Sequence, residues 1–439
     1  MKTLFKNISI LKKGAVKSFV TANVIVENDK IAYIGDSTDS PDSDFDRVIS
    51  GKNRLMIPGM YNTHCHSAMT LFRGYGEDLP LDKWLHEKIF PAEDLLTAES
   101  VYAGSMIAIT EMIKNGIVSF TDMYSLCEET AKAVAESGMK ANIGRAMLCF
   151  DENADMKNDI RMKEAVALAN EFHGAADGRV KIDMSIHAEY TNTPASCAYV
   201  SDYAKKNGYL MHLHLSETEK EHNECLRKRQ GKTPAEFFLD LGVFDPKLPV
   251  TAAHCVFVAD RDIEIMKENN VTAVHNPTSN LKLGSGVARV RDMLDAGVNV
   301  ALGTDGAASN NTHDIFKELH LASILHKGIY KQADITTAEE MIDLATVNGA
   351  KSQGRDDCGK LEVGYKADIV LIDTDDINMI PMFDANSAIC YSANSSNVRL
   401  TMVNGEILYE NGEFTRVDIE KVKHSMRNVC ENYFRNESR

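Results

Sequence analysis

The 439-residue chain is longer than one hydrophobic core usually organises, so a large domain with a smaller companion is expected. Hydrophobic residues at 44% and charged residues at 26% supply a full core and exclude disorder. A net charge of -16 gives no basis for binding nucleic acid or anionic lipid, which need clustered Lys and Arg. The first 56 residues read as antiparallel β, with Phe19–Glu27 and Lys30–Gly35 flanking an Asn28-Asp29 turn. From Ile57 to about Lys351, short β-branched segments alternate with helical patterns. The strand candidates are Met56–Asn62, Ile117–Thr121, Ala141–Met147, Val180–His187, Tyr209–Leu215, Val250–Cys255, Val271–His275 and Val298–Gly303. Thr97–Asn115 is a typical intervening helix, capped by Thr97 and ended by Gly116. Eight strand–helix units imply a (β/α)8 TIM barrel, with a doubly wound open sheet as the alternative.

After the barrel, Val398–Val403 and Ile407–Glu410 flank Asn404-Gly405, a hairpin pattern. Neither chain end holds enough strands to stand alone. A composite β-sandwich domain from residues 1–56 and 361–415 is therefore expected, with the barrel (57–360) inserted and a C-terminal helix, Asp418–Arg435, in the remaining 416–439. Nine cysteines without a Cys-x-x-Cys pair predict reduced thiols, and MKTLFKNISILKKG lacks the apolar core of a secretory signal. No run reaches about 18 apolar residues, so a cytoplasmic protein without membrane partners is expected.

The sharpest local feature is His64-Cys65-His66 at the end of the first barrel strand. Period-2 geometry aims both imidazoles at one face and Cys65 at the other, and paired imidazoles at the C-terminal end of a barrel strand suit a divalent metal. Alone, such a pair is also explained by core packing. Ligand-type residues recur at the same end of later strands, however: His214 in YLMHLHLSE, His254 in TAAHC and Asp305 in VALGTDG. They converge only if the barrel closes.

MIPGMYNTHCH, HLHLSE, HNPTSNLKLGSG and GTDG, with the late VGYKADIVLID, together resemble the amidohydrolase superfamily over nearly the whole chain. The similarity is greatest to its 5′-methylthioadenosine/S-adenosylhomocysteine deaminase branch, which also resembles triazine hydrolases and guanine deaminases. The resemblance implies that His64, His66, His214 and Asp305 hold one divalent metal, zinc by type, with His254 beside the water it activates. No strand-four lysine stands where binuclear relatives carry a bridging carbamate, since VKIDMSIHA offers only Lys181 at its beginning. A mononuclear site is implied.

By the same resemblance Glu217 is the general acid/base, while His254 and Asp305 take the proton of the attacking water. The plain alternative for Glu217 is a solvated residue in an acidic stretch continuing through Glu219-Lys220-Glu221. Substrate contacts are implied for Glu93 (ribose hydroxyls), His187 (purine ring) and Arg145 (a substrate tail), besides Glu217 and Asp305. Arg145 reads equally as a barrel-wall residue paired with a buried acid. The second arginine that some relatives carry is missing from CFDENADMKND, where Lys157 is the one cation. Trp84 lies in an implied pocket-covering segment, and Ser279, Asn280 and Leu281 read as a loop after strand seven. The expected activity is hydrolytic deamination of an adenosine-type nucleoside. The alternatives are another heteroaromatic hydrolase, of guanine deaminase or triazine hydrolase type, and a non-catalytic barrel. A small-molecule substrate and a homo-oligomer are implied as partners.

Overall fold

The computed structural model describes residues 1–38 and 44–434. Its contacts divide into two compact units, Met1–Tyr61 with Thr110–Ser119 and Asp314–Val417, and Asn62–Ile109 with Phe120–His313 and Asp418–Arg439. No helix among the described residues is long and apolar enough to cross a membrane.

The chain opens with β1 (Lys2–Leu11), β2 (Phe19–Glu27), β3 (Lys30–Asp36), β4 (Arg47–Ser50) and β5 (Arg54–Pro58). Eight barrel strands follow: β6 (Met60–Cys65), β7 (Ile117–Tyr124), β8 (Lys140–Met147), β9 (Val180–Ile186), β10 (Met211–Leu215), β11 (Val250–His254), β12 (Val271–His275) and β13 (Asn299–Leu302). The last four are β14 (Ile369–Asp373), β15 (Val398–Val403), β16 (Glu406–Glu410) and β17 (Glu413–Phe414).

Both chain ends join one nine-stranded sheet, in the order β17-β16-β15-β14-β5-β1-β2-β3, with β4 beside β1. The junction is antiparallel pairing of β5 with β14, Leu55 opposite Ile372. Phe5, Val24, Ile31, Met56, Leu371, Leu400 and Ile407 share one buried cluster. Because strands from both sides of the order reach that cluster, the sheet folds over upon itself, and each chain end supplies the apolar face that the other lacks.

The expected strand Met56–Asn62 is two strands. Pro58 has no amide hydrogen to donate, and the amides after it serve different partners: Gly59 N donates to Asp368 O at 2.9 Å and Met60 N to Gly116 O at 3.1 Å. The chain therefore leaves the terminal sheet and enters the barrel at this point. Sequence periodicity carries no mark of the switch, since both halves are apolar.

Hairpin Asn404-Gly405 is as its residue types require, with φ of 48° and 74°. A Cβ on Gly405 would lie 1.8 Å from the carbonyl oxygen of Asn28. Gly405→Ala should accordingly cost about 1–3 kcal/mol, read as a fall in the urea-unfolding midpoint; an unchanged midpoint would show that the two turns separate freely.

The barrel strands follow chain order, β6 to β13, and are parallel where adjacent, as in the register of β10 with β11. At the β6/β13 seam Thr63 Oγ1 donates to Leu302 O at 2.6 Å, Asn62 exchanges hydrogen bonds with Thr304, and Asp305 N donates to His64 O at 2.9 Å. The last of these ties the first and last strand ends together where His64 and Asp305 stand. Gly303 permits the approach, because a Cβ there would sit 2.9 Å from His64 N.

The C-terminal helix runs Ile419–Phe434, and Arg435, its expected last residue, lies outside the described residues. Met426, Val429 and Tyr433 pack with Phe72, Trp84 and Ala92, and the Tyr433 hydroxyl donates to Ala92 O. This contact holds the segment between Trp84 and Glu93, which begins with the π-type turn Trp84–Ile89.

Candidate active site

The sequence-predicted residues converge at the C-terminal ends of the barrel strands. His64 sits near the end of β6 and His66 just beyond it, His214 sits near the end of β10, His254 ends β11, and Asp305 follows β13. The His64 ring centroid lies 4.9 Å from those of His66 and His214 and 5.3 Å from that of His254. Asp305 Oδ1 is 3.4 Å from His64 Nε2 and 3.3 Å from His66 Nε2. Donor atoms of His64, His214 and His254, and of His64, His66 and Asp305, form two groups within 4.8 Å that share His64. Cys65, as alternation requires, points away, toward Asp122.

Each imidazole spends its Nδ1 on an outer partner. His66 Nδ1 faces Met123 O at 2.5 Å and His214 Nδ1 faces His187 O at 2.7 Å. His254 Nδ1 meets Asn280 Oδ1 at 2.8 Å, and His64 Nδ1 meets His212 Nε2 at 2.9 Å. A ring nitrogen against a carbonyl carries the proton, so Nε2 keeps its lone pair for the interior, the arrangement that prepares histidine as a metal ligand. His64 Nε2 is buried without a hydrogen-bond partner. Asp305 accepts from Ser279 Oγ at 2.5 Å, Ser309 Oγ at 2.9 Å and Gly306 N at 2.8 Å. Three neutral imidazoles and an ionised carboxylate thus form a donor set that fits zinc.

Protonation follows from the surroundings. Burial holds His64 down at about 3 and His187 at about 4, and drives His214 well below its ordinary value. Burial alone would raise the Asp305 carboxyl, but its contacts with His64 and His66 keep it well below the usual range. Burial pushes Glu217 up. Burial would lower His254 as well, yet the Glu217 and Asp305 carboxylates outweigh that and raise it. The two groups, both pushed up, face each other, with His254 Nε2 3.8 Å from Glu217 Oε2. Ser216, His254 and Asp305 all have positive φ, a strain of about 1–3 kcal/mol each that concentrates at working sites.

These groups open onto a cleft that Glu93, Arg145, His187, Glu217, His254 and Asp305 all line. A family model described as the amidohydrolase family matches residues 55–408. The chain belongs to the amidohydrolase family.

A 5-methylthioadenosine/S-adenosylhomocysteine deaminase of Caldanaerobacter subterraneus subsp. tengcongensis is 42% identical to this amidohydrolase over 439 residues, the full length of both. A 5'-deoxyadenosine deaminase of Methanosarcina acetivorans is 42% identical over 409 residues, 93% of this chain and 92% of its own. Among solved structures, an adenosine deaminase from Xanthomonas campestris with bound zinc has a TM-score of 0.92 at 27% identity, covering 98% of each chain.

The amidohydrolase arranges its remaining cleft residues less uniformly. His187 Nδ1 meets Thr191 Oγ1 at 3.1 Å, and its ring stands 4.8 Å from that of His214. Glu93 is half-buried, with its carboxyl pushed up by burial. Arg145 lines the cleft but spends Nε on Glu164 at 2.7 Å and an Nη on Ala146 O at 2.8 Å. Its acid partner is half exposed, not buried as one reading of the sequence expected. Trp84, Leu85, Phe90, Leu148 and Leu283 give the cleft apolar walls.

Residues 279–281 were expected in a loop and belong instead to the helix Pro277–Lys282, which aims Ser279 at Asp305 and Asn280 at His254. Sequence reading also missed His212, Tyr124 and Tyr190. His-x-His spacing within HLHLSE was the available signal for His212, since it shares a strand face with His214. Nothing local marks the two tyrosines, which reach the cleft only through barrel closure.

Proposed function

We propose that this amidohydrolase is a metal-dependent deaminase of adenosine-type nucleosides, acting on 5′-methylthioadenosine, S-adenosylhomocysteine or a related 5′-substituted adenosine to yield the inosine-type product and ammonia. The observation that carries this reading is the facing pair Glu217 and His254, 3.8 Å apart beside the clustered imidazoles and Asp305. The names of the full-length relatives at 42% identity support the substrate class.

His64, His66, His214 and Asp305 would hold one divalent metal, zinc by preference, which supplies Lewis acidity that makes water nucleophilic at neutral pH. A single ion is favoured because both donor groups contain His64, and because Lys181 is the second residue of β9, far from its cleft end. Glu217, whose carboxyl is pushed up by burial, gives a proton to a ring nitrogen, so the adjacent amino-bearing carbon becomes electrophilic. His254 and Asp305 accept the proton that water loses on attack. Returned to the amino group, that proton lets it leave as ammonia as the C–N bond breaks, and the remaining hydroxyl proton passes to the Glu217 carboxylate, a transfer that forms the product carbonyl and restores the acid.

In this reading His187 meets the purine ring and Glu93 accepts hydrogen bonds from ribose hydroxyls. Arg145 faces the 5′ tail. Its bonds to Glu164 and Ala146 leave only part of the guanidinium for a substrate carboxylate, and the cleft walls are apolar. A neutral thioether or deoxy tail should therefore rival or exceed a homocysteine tail. All cleft residues fall between His66 and Asp305, so the composite domain of residues 1–56 and 361–415 serves as scaffold.

Ammonia release by metal-replete protein, measured on adenosine, 5′-methylthioadenosine, S-adenosylhomocysteine, 5′-deoxyadenosine, guanine and melamine, tests the reading. The 5′-substituted adenosines should have the highest kcat/KM; a preference for guanine or melamine would overturn it. Glu93→Ala should lower kcat/KM for 5′-methylthioadenosine by about tenfold or more per lost hydrogen bond, and should leave free adenine unaffected. Equal losses on both would remove Glu93 from ribose recognition.

A further inference from the structure

Four residues after Glu217 stands a second buried carboxylate, Glu221, 6% exposed. Both of its oxygens accept from consecutive backbone amides: Ser216 N to Oε1 at 3.0 Å and Glu217 N to Oε2 at 2.7 Å. Glu221 is the third residue of the helix Glu219–Lys228, whose N-cap is Thr218. A capping box would send its side chain to the amide of the N-cap itself. Here it reaches one and two residues further back, across the turn that presents Glu217.

That turn is strained, with Ser216 at φ 47°. On its other side the Ser216 carbonyl accepts from Val256 N at 3.1 Å and Phe257 N at 2.9 Å. The backbone just before Glu217 is thus gripped from both directions, while the Glu217 carboxyl itself has only weak side-chain contacts among the described residues, Ser285 Oγ at 3.4 Å and His254 Nε2 at 3.8 Å. A side chain held so lightly takes its position from its backbone.

We propose that Glu221 is a positioning residue for Glu217: its two oxygens clamp the amides of Ser216 and Glu217, hold Ser216 in the left-handed conformation and so set where the Glu217 carboxyl meets the substrate. The proposal rests on reading Glu217 as the proton carrier. Burial and the neighbouring Glu217 charge raise Glu221 to about 7, a burden that a helix cap alone does not require.

The test is Glu221→Gln in the metal-loaded full chain, with kcat and KM measured on 5′-methylthioadenosine alongside metal content, Tm and a crystal structure. Gln can accept with one oxygen only and turns an NH2 group toward the second amide. Because misplacement by about 1 Å can cost about 10²-fold, kcat should fall about 10- to 100-fold, with KM within about twofold and metal content unchanged. The Glu217 carboxyl should be displaced in the crystal structure while β10 stays in place. Unchanged kcat, or an undisplaced Glu217, overturns the proposal. Should Glu221→Gln fail to fold, Glu221→Asp, one methylene too short to span both amides, should show the same kcat-selective loss, and full activity there overturns it equally. Wild-type protein inert toward every adenosine nucleoside would instead sink the function on which the proposal rests.

Discussion

Glu217→Gln is expected to lower kcat by about 10²–10⁴-fold on the best nucleoside substrate, with metal content and Tm at wild-type values. Gln matches Glu in volume and keeps an oxygen for Ser285 Oγ, but it cannot deliver a proton. Glu217 is buried, and that burial pushes its carboxyl up from the ordinary carboxylate range. His254 Nε2 lies 3.8 Å from Glu217 Oε2, beyond hydrogen-bond distance, so a proton on Glu217 is free to pass to a bound ring nitrogen. Rate, metal analysis and melting of the purified variant decide the matter. Near-normal turnover would leave Glu217 as a polar wall residue and transfer the acid role elsewhere in the cleft.

The second large effect concerns the metal. Wild-type protein should carry about one equivalent of divalent ion per chain, and exhaustive chelation should abolish turnover. His214→Ala should lose both ion and activity, because it removes an inward Nε2 whose direction is set by the 2.7 Å bond from Nδ1 to His187 O. Ser279→Ala removes a 2.5 Å bond to Asp305 but no donor atom, so affinity or activity should fall by about 10–100-fold. Elemental analysis and activity titrated against added zinc distinguish these cases. Two tightly bound ions per fully active chain would refute the mononuclear reading, and a chelated protein with full activity would refute the metal mechanism. A His214→Ala protein that still binds zinc at wild-type strength would place the ion elsewhere among the imidazoles.

The terminal sheet illustrates how function and fold were legible to different depths. β2 and β15 coincide with the strands expected from their residue types and turn residues, because β-branched runs and their punctuation by Asn, Asp and Gly are local properties. β14, in VGYKADIVLID, is not among the strands expected from the sequence: it is a five-residue run buried throughout, and its place comes from pairing with β5 and β15, which are distant in the chain. The break at Pro58-Gly59 was invisible for a related reason: which sheet an amide bonds to depends on neighbours that are distant in sequence.

Residue types and their spacing alone determined that His64, His66, His214, His254 and Asp305 belong to strand ends, and that Glu217 follows a histidine-bearing strand. A strand's direction and its two-residue period are properties of the local chain, so these placements needed no partner. Only the tertiary structure decided that the strand ends form one cluster, because that requires β6 to meet β13 through Thr63, Asn62 and Asp305. It alone assigned the outer partners Asn280, Ser279 and His212, and the grip of Glu221 on the turn before Glu217. Hydrogen-bond geometry at a buried site is a relation between segments tens to hundreds of residues apart, and no single segment encodes it.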